Sequence, residues 1–262
     1  REAVPYYERA LAINEKALGT EHPDTVSLMS HLGTLRLDLG EFEEGRRLLA
    51  GALSIRERVL GPEHPDTARG HNNLCTALAD LGDPSGQKEH AEKAWRIWTK
   101  TLGPDHPETT TAMVNLADAL RKLGDLNRAR SLLQCAVEIN ERKLGEEHPS
   151  TAGSMQNLGL LLVKLGDSQA ARELIERALK IFEKTLGADH PRVARCQLNL
   201  SLTLQNVGDF ESARALLQSA LAILERRLGP NHPSTALAMD NLGALLFRMG
   251  DFEASRLQLE RA

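Results

Sequence analysis

Aromatic residues are scarce in this chain, at 3% of its 262 positions. That scarcity argues against base-stacking platforms for single-stranded nucleic acid. Positive charge is not in excess either: 32 Lys and Arg against 36 Asp and Glu leave a formal net charge of −4. Nucleic acid and anionic membrane surfaces are therefore not expected as partners. The three cysteines, Cys75, Cys135 and Cys196, are odd in number and form no C-x-x-C pair. Such spacing gives neither a disulfide framework nor a zinc knuckle, and reduced thiols in a cytoplasmic setting are expected. No apolar run approaches membrane-spanning length, and no signal-peptide pattern precedes the first repeat. On that reading the sequon Asn199-Leu200-Ser201 is a chance match inside a helix. Phosphate-binding, nucleophile-elbow, zinc-protease and calcium-loop patterns are all missing, so neither an enzyme nor a cofactor or metal is expected.

What is present is a strict repeat. His-Pro recurs as His22-Pro23, His64-Pro65, His106-Pro107, His148-Pro149, His190-Pro191 and His232-Pro233, each pair 42 residues after the last. A fixed period in this range is the signature of stacked repeats. In each unit the residue before proline is driven out of the α region, and proline suits a first helical turn. A helix A should therefore start at each His-Pro, with the histidine as its cap. In the unit at 148, Leu158, Leu161, Leu162 and Leu165 form one apolar stripe, Gly166 ends helix A, and Asp167 caps a helix B. Helix B turns Ala171, Leu174, Ile175, Ala178, Leu179, Ile181 and Leu186 inward and closes at Gly187. Equivalent glycines close every A and B helix. A cation precedes each B-helix end (Lys16, Arg58, Lys100, Arg142, Lys184, Arg226), placed to complement the helix dipole. The fold class expected is all-α, a right-handed α-solenoid of antiparallel helical hairpins.

The six histidines do not make a metal site, because equivalent positions of stacked helices lie about 10 Å apart and zinc ligands must lie within about 2.1 Å of the ion. His31 and His71 stand alone. Residues 62–103 break the pattern most: His90 replaces a leucine, and Trp95 and Trp98 are the only tryptophans. Trp95, at the place of Val137, Leu179 and Leu221, is read as core. Trp98, at a variable place shared with Arg56, Asn140 and Phe182, is either core or an exposed anchor.

Asn157-Leu158-Gly159, Leu162, Gly166, Ala171 and Ala178 resemble the tetratricopeptide repeat in register, and the run 177–191 is similar to the long 42-residue form found in kinesin light chains and many bacterial proteins. The resemblance covers the whole chain. It divides the sequence into an orphan helix B (1–19), repeats at 20–61, 62–103 (degenerate), 104–145, 146–187 and 188–229, and a truncated repeat at 230–262. With no polar cap at either end, the chain reads as a segment of a longer protein whose bare ends associate end to end.

The resemblance implies that the A helices line a concave groove that takes an extended peptide or protein segment, without chemistry of its own. The polar residue repeated there is Asn73, Asn115, Asn157, Asn199 and Asn241, with His31 in the first unit. An amide can pair with any peptide backbone, and it can equally tie neighbouring A helices together. Lys122, Lys164, Arg195 and Arg248 would receive an acidic ligand, beside apolar Leu160, Leu198 and Leu202. Two other readings remain: the regulatory arm of a larger signalling NTPase or protease, and a structural spacer.

Overall fold

The computed structural model describes residues 3–261, which form two compact units divided between Leu132 and Leu133. Among the described residues there are helices and no strands. The A helices are α2 (Pro23–Asp38), α4 (Pro65–Asp80), α6 (Pro107–Leu123), α8 (Pro149–Lys164), α10 (Pro191–Asn206) and α12 (Pro233–Met249). The B helices are α1 (Val4–Leu18), α3 (Phe42–Leu60), α5 (Pro84–Thr101), α7 (Leu126–Leu144), α9 (Ser168–Leu186), α11 (Phe210–Leu228) and α13 (Phe252–Arg261). In the first unit α2 packs on α3 and α4 on α5, and each B helix also packs on the next A helix. The second unit repeats the scheme with α8 on α9, α10 on α11 and α12 on α13. The chain thus has the hairpin-solenoid fold expected of its repeat. No described helix is long and apolar enough to cross a membrane.

The His-Pro pairs act as the local rules require. Each histidine is extended, and its Nδ1 accepts from the backbone N–H two residues on, at 3.1–3.2 Å in all six. The threonine two residues after the proline adds a bond that joins consecutive helices. Thr25, Thr67, Thr109, Thr151 and Thr235 Oγ1 each donate, at 2.8 Å, to the carbonyl of the glycine that ends the preceding B helix. That glycine has a positive φ, 94° at Gly19, which only glycine adopts cheaply. Asp83, Asp167, Asp209 and Asp251 cap B helices through a carboxylate that accepts from a backbone N–H.

Small residues let the hairpins close. Ala94, Ala171, Ala178, Ala213 and Ala220 are fully buried. In the second unit the core is continuous, from Met155 and Ile175 through Phe182 and Leu217 to Met239 and Leu245. At Gly45 an added Cβ would lie 2.6 Å from Leu37 Cδ2 and 2.8 Å from the Gly33 carbonyl oxygen, and backbone cannot swing aside. Gly45→Ala should therefore cost about 1–3 kcal/mol. Gly51→Ala, where the nearest atom is Met29 Cε at 3.4 Å, should instead gain about 0.5–1 kcal/mol from helix propensity. Urea unfolding of the two variants checks this; equal effects would refute the close approach of α2 and α3.

The basic row at the B-helix ends has partners that the dipole argument did not supply. Arg58 pairs with Glu21, Lys100 with Glu63, Lys184 with Glu147 and Arg226 with Asp189, in each case the acid just before the His-Pro of the same hairpin. These pairs are exposed and contribute little individually.

Candidate functional site

Each A helix leaves one stripe uncovered, at the fourth, eighth, eleventh and fifteenth residues after its proline, the i, i+4, i+7, i+11 spacing of one helical face. The eighth position is the asparagine. Asn73, Asn115, Asn157, Asn199 and Asn241 are all half-buried. Their amides are used differently. Asn115 Nδ2 donates to Asn72 Oδ1 of the preceding A helix at 2.9 Å, so here the helix-tying role is realised. Asn157 Nδ2 donates to the Gly153 carbonyl of its own helix, also at 2.9 Å. The side chains of Asn73, Asn199 and Asn241 have no hydrogen-bond partner among the described residues.

In the first unit the stripes are polar. α2 carries Ser27, His31, Thr34 and Asp38, and α4 carries Arg69, Asn73, Thr76 and Asp80. On α6, Lys122 is not a free charge: its Nζ lies 2.9 Å from Asp118 Oδ2 and donates to Gln87 Oε1 at 3.1 Å. Arg121 takes the other oxygen of Asp118 at 2.6 Å. Arg121, Gln87 and Lys122 hold the Asp118 carboxyl low against the raising effect of its burial, which is the largest influence on it. The cluster is closed on itself.

The second unit is more apolar and more basic. α8 presents Asn157, Leu160 and Lys164, and α10 presents Arg195, Asn199, Leu202 and Asn206. α12 presents Leu237, Asn241, Ala244 and Arg248. Leu202 and Leu237 are 46% and 54% exposed, and Leu160 is half-buried. Arg195 is exposed and has no ion-pair partner among the described residues. Arg248 donates to Gln205 Oε1 at 3.1 Å and lies over the Phe210 ring, 5.0 Å from its centroid. Leu198 is elsewhere: at 8% exposure it belongs to the core of the second unit. The fourth position, which supplies Leu237, completes the stripe; its signal in the sequence was the helical spacing from the asparagine alone.

The two tryptophans divide. Trp98 is 2% exposed and its Nε1 donates to the Pro65 carbonyl at 3.1 Å, so the exposed-anchor reading fails. The variable row it belongs to is buried in every hairpin: Arg56, Asn140, Phe182 and Leu224 are all at 9% exposure or less. Trp95 only half-packs, bordered by Glu92, Arg96 and Arg128. Nor does His71 stand alone. Its Nδ1 lies 2.9 Å from His90 Nδ1, and its Nε2 lies 3.5 Å from Glu57 Oε1. Burial first, then His90 and Lys93, push His71 down to about 4, and burial likewise lowers His90.

The tetratricopeptide repeat model matches residues 1–44, 24–85, 88–142, 110–184, 152–226 and 198–262, and a second model of that description matches 67–108. Among solved structures, the chain is similar to kinesin-light-chain-type, nearly identical tetratricopeptide-like repeats of Podospora anserina. Identity there is 30%, with 76% of this chain and 94% of that one covered and a TM-score of 0.58. BtubC of P. vanneervenii shares the fold at 19% identity, with 87% and 89% covered and a TM-score of 0.61. So does a Rap protein complexed with Competence and Sporulation Factor, at 14% identity, 99% and 83% covered, TM-score 0.64. No curated protein matches the chain.

Proposed function

Because the chain belongs to the tetratricopeptide repeat family, a protein-interaction fold, we propose that it binds an extended peptide or protein segment along the uncovered A-helix stripes of its second unit, as an adaptor without chemistry of its own. The observation that carries the reading is the state of Asn199 and Asn241. Both are half-buried at the middle of a stripe, and neither amide is used within the protein. A half-buried amide with no partner favours a ligand that supplies both a donor and an acceptor, which every peptide unit does.

The same face favours acidic ligands with apolar neighbours. Arg195 has no carboxylate of its own, and Lys164 and Arg248 lie on the same stripes as Leu160, Leu202 and Leu237. The first unit is a poorer candidate for acidic peptides, since Lys122 is occupied by Asp118.

The test is a displayed peptide library screened against the wild-type chain, with binders re-measured on Asn199→Ala/Asn241→Ala and on Arg195→Ala. Affinity should fall about tenfold or more in the double variant, the scale of losing two ligand hydrogen bonds. Stability should change by less than about 0.5 kcal/mol, because no internal bond is removed. Binders that keep their affinity in both variants would sink the proposal.

A further inference from the structure

A different feature, on a B helix of the first unit, points to a second binding site. Arg56 of α3 is 9% exposed, and its Nη1 is buried with no hydrogen-bond partner. No hydrogen bond or ion pair to any described residue reaches its guanidinium. In the other hairpins the same place is satisfied. Trp98 donates to the Pro65 carbonyl, Asn140 Nδ2 donates to Ser154 Oγ at 2.9 Å, and Phe182 and Leu224 are apolar. Arg56 alone puts a cation there with no hydrogen-bonded partner, opposed only through space by Asp66, and such a charge is costly to bury unless something pairs with it.

Arg56 borders a cavity of about 200 Å³ between α2, α3 and the start of α4. Its apolar wall is Val26, Ile55, Val59 and Leu60. Its charged rim is already paired: Glu21 with Arg58, and Asp66 with Arg69, which also reaches Glu108 at 3.1 Å. Asp66 is thus shared between Arg69, which it pairs with directly, and Arg56, which it reaches only through space, and the guanidinium of Arg56 is left without a hydrogen-bonded counter-ion.

We propose that this cavity binds a carboxylate carried on a short aliphatic stem, held by Arg56. A planar guanidinium matches a carboxylate with two parallel bonds. The rim carboxylates of Glu21 and Asp66 would repel a dianion such as phosphate more than a monoanion, and the apolar wall suits hydrocarbon. At about 30 Å³ per small group, the volume holds roughly six or seven non-hydrogen atoms, the size of a branched five-carbon acid or a glutamate side chain. The ligand is therefore either a free short-chain carboxylic acid or an acidic side chain of a partner peptide. The site does not involve the asparagine stripes, so it stands or falls independently of them.

Calorimetric titration of the full chain tests it with two probes: 3-methylbutanoate, and an acetylated, amidated peptide Leu-Glu-Leu beside its Leu-Gln-Leu counterpart. Variants are Arg56→Met, which keeps the length without the charge, and Arg56→Lys. The Arg56 Nε–Hε resonance is followed by NMR in the wild type. Binding of at least one carboxylate probe is expected, with a shifted Arg56 resonance, no binding of the glutamine peptide, and about tenfold or greater loss in Arg56→Met. Binding of 3-methylbutanoate alone assigns the site to free acids, and binding of the glutamate peptide alone assigns it to acidic side chains. Arg56→Met should unfold no earlier than wild type, which separates loss of the site from loss of the fold. Arg56→Lys should keep part of the affinity. The proposal is overturned if neither carboxylate probe binds, or if Arg56→Met binds as well as wild type.

Discussion

Trp98→Ala lowers the stability of the first unit by about 3–5 kcal/mol, the range for truncating a large buried aromatic. Three losses combine. The side chain is 2% exposed and packs with Ala68, Ala94, Ile97 and Ala112, so truncation opens a cavity between α4, α5 and α6. The Pro65 carbonyl loses the indole N–H. Pro65 also begins α4, so the damage falls on the helix start that His64 caps. Trp95→Ala, one turn earlier and half-exposed, should cost no more than about 1–1.5 kcal/mol. Urea unfolding by circular dichroism measures both, and hydrogen exchange locates the weakened helices. In a repeat protein each hairpin depends on its neighbours, so faster exchange should spread through α4 to α6. Similar losses in the two variants would show that the buried and half-buried assignments are wrong.

Acid weakens the same unit through His71 and His90. An unfolded histidine titrates near 6.5, whereas His71 in the fold is held at about 4. Between those values the unfolded chain binds more protons than the folded one. Stability is therefore fully present above about 6.5 and is lost as pH falls toward 4. His71 alone accounts for roughly 3 kcal/mol, and His90, lowered as well, acts in the same direction. The groups that face the pair do not cancel this. Glu57 of α3, Glu89 of α5 and Asp83 before it favour the charged rings, while Lys93 and Arg96 oppose them, and burial outweighs all.

The neighbouring hairpin positions suggest the control. Met29 and Met113 stand where His71 is, and Leu48 and Leu132 where His90 is. His71→Met/His90→Leu should flatten the stability curve between pH 6.5 and 4. Some slope will remain through His190, which burial also lowers. Thermal unfolding across that range checks it; an unchanged slope in the double variant removes the pair as its source.

How far the sequence was legible depended on distance along the chain. The histidine caps, the carboxylate cap at Asp167 and the glycine stops were read correctly because each acts within a few residues of itself. The buried alanines followed from helical spacing. Reading failed where a partner lies in another helix. His71 and His90 are 19 residues apart, and Arg58 meets an acid 37 residues before it. Trp98 shares a row with Arg, Asn, Phe and Leu, and that diversity left core and surface both open. The structure shows a buried row in which each hairpin solves the same packing problem with different chemistry. On the candidate face, the asparagine row was legible as a row. Which amides are spent internally, as at Asn115 and Asn157, was not.

By itself the sequence determined the helices, their ends and their pairing into hairpins, because a 42-residue period repeats the same local instructions: proline and histidine to start, glycine to stop, aspartate to start again. Only the tertiary structure decided which polar groups are left over. A hydrogen bond or ion pair needs atoms within about 3 Å, and helix packing, not sequence spacing, brings them there. That packing brings Gln87 onto Asp118 and Lys122, leaves the side-chain amides of Asn199 and Asn241 without a partner among the described residues, and buries Arg56 beside a cavity with no hydrogen-bonded counter-ion.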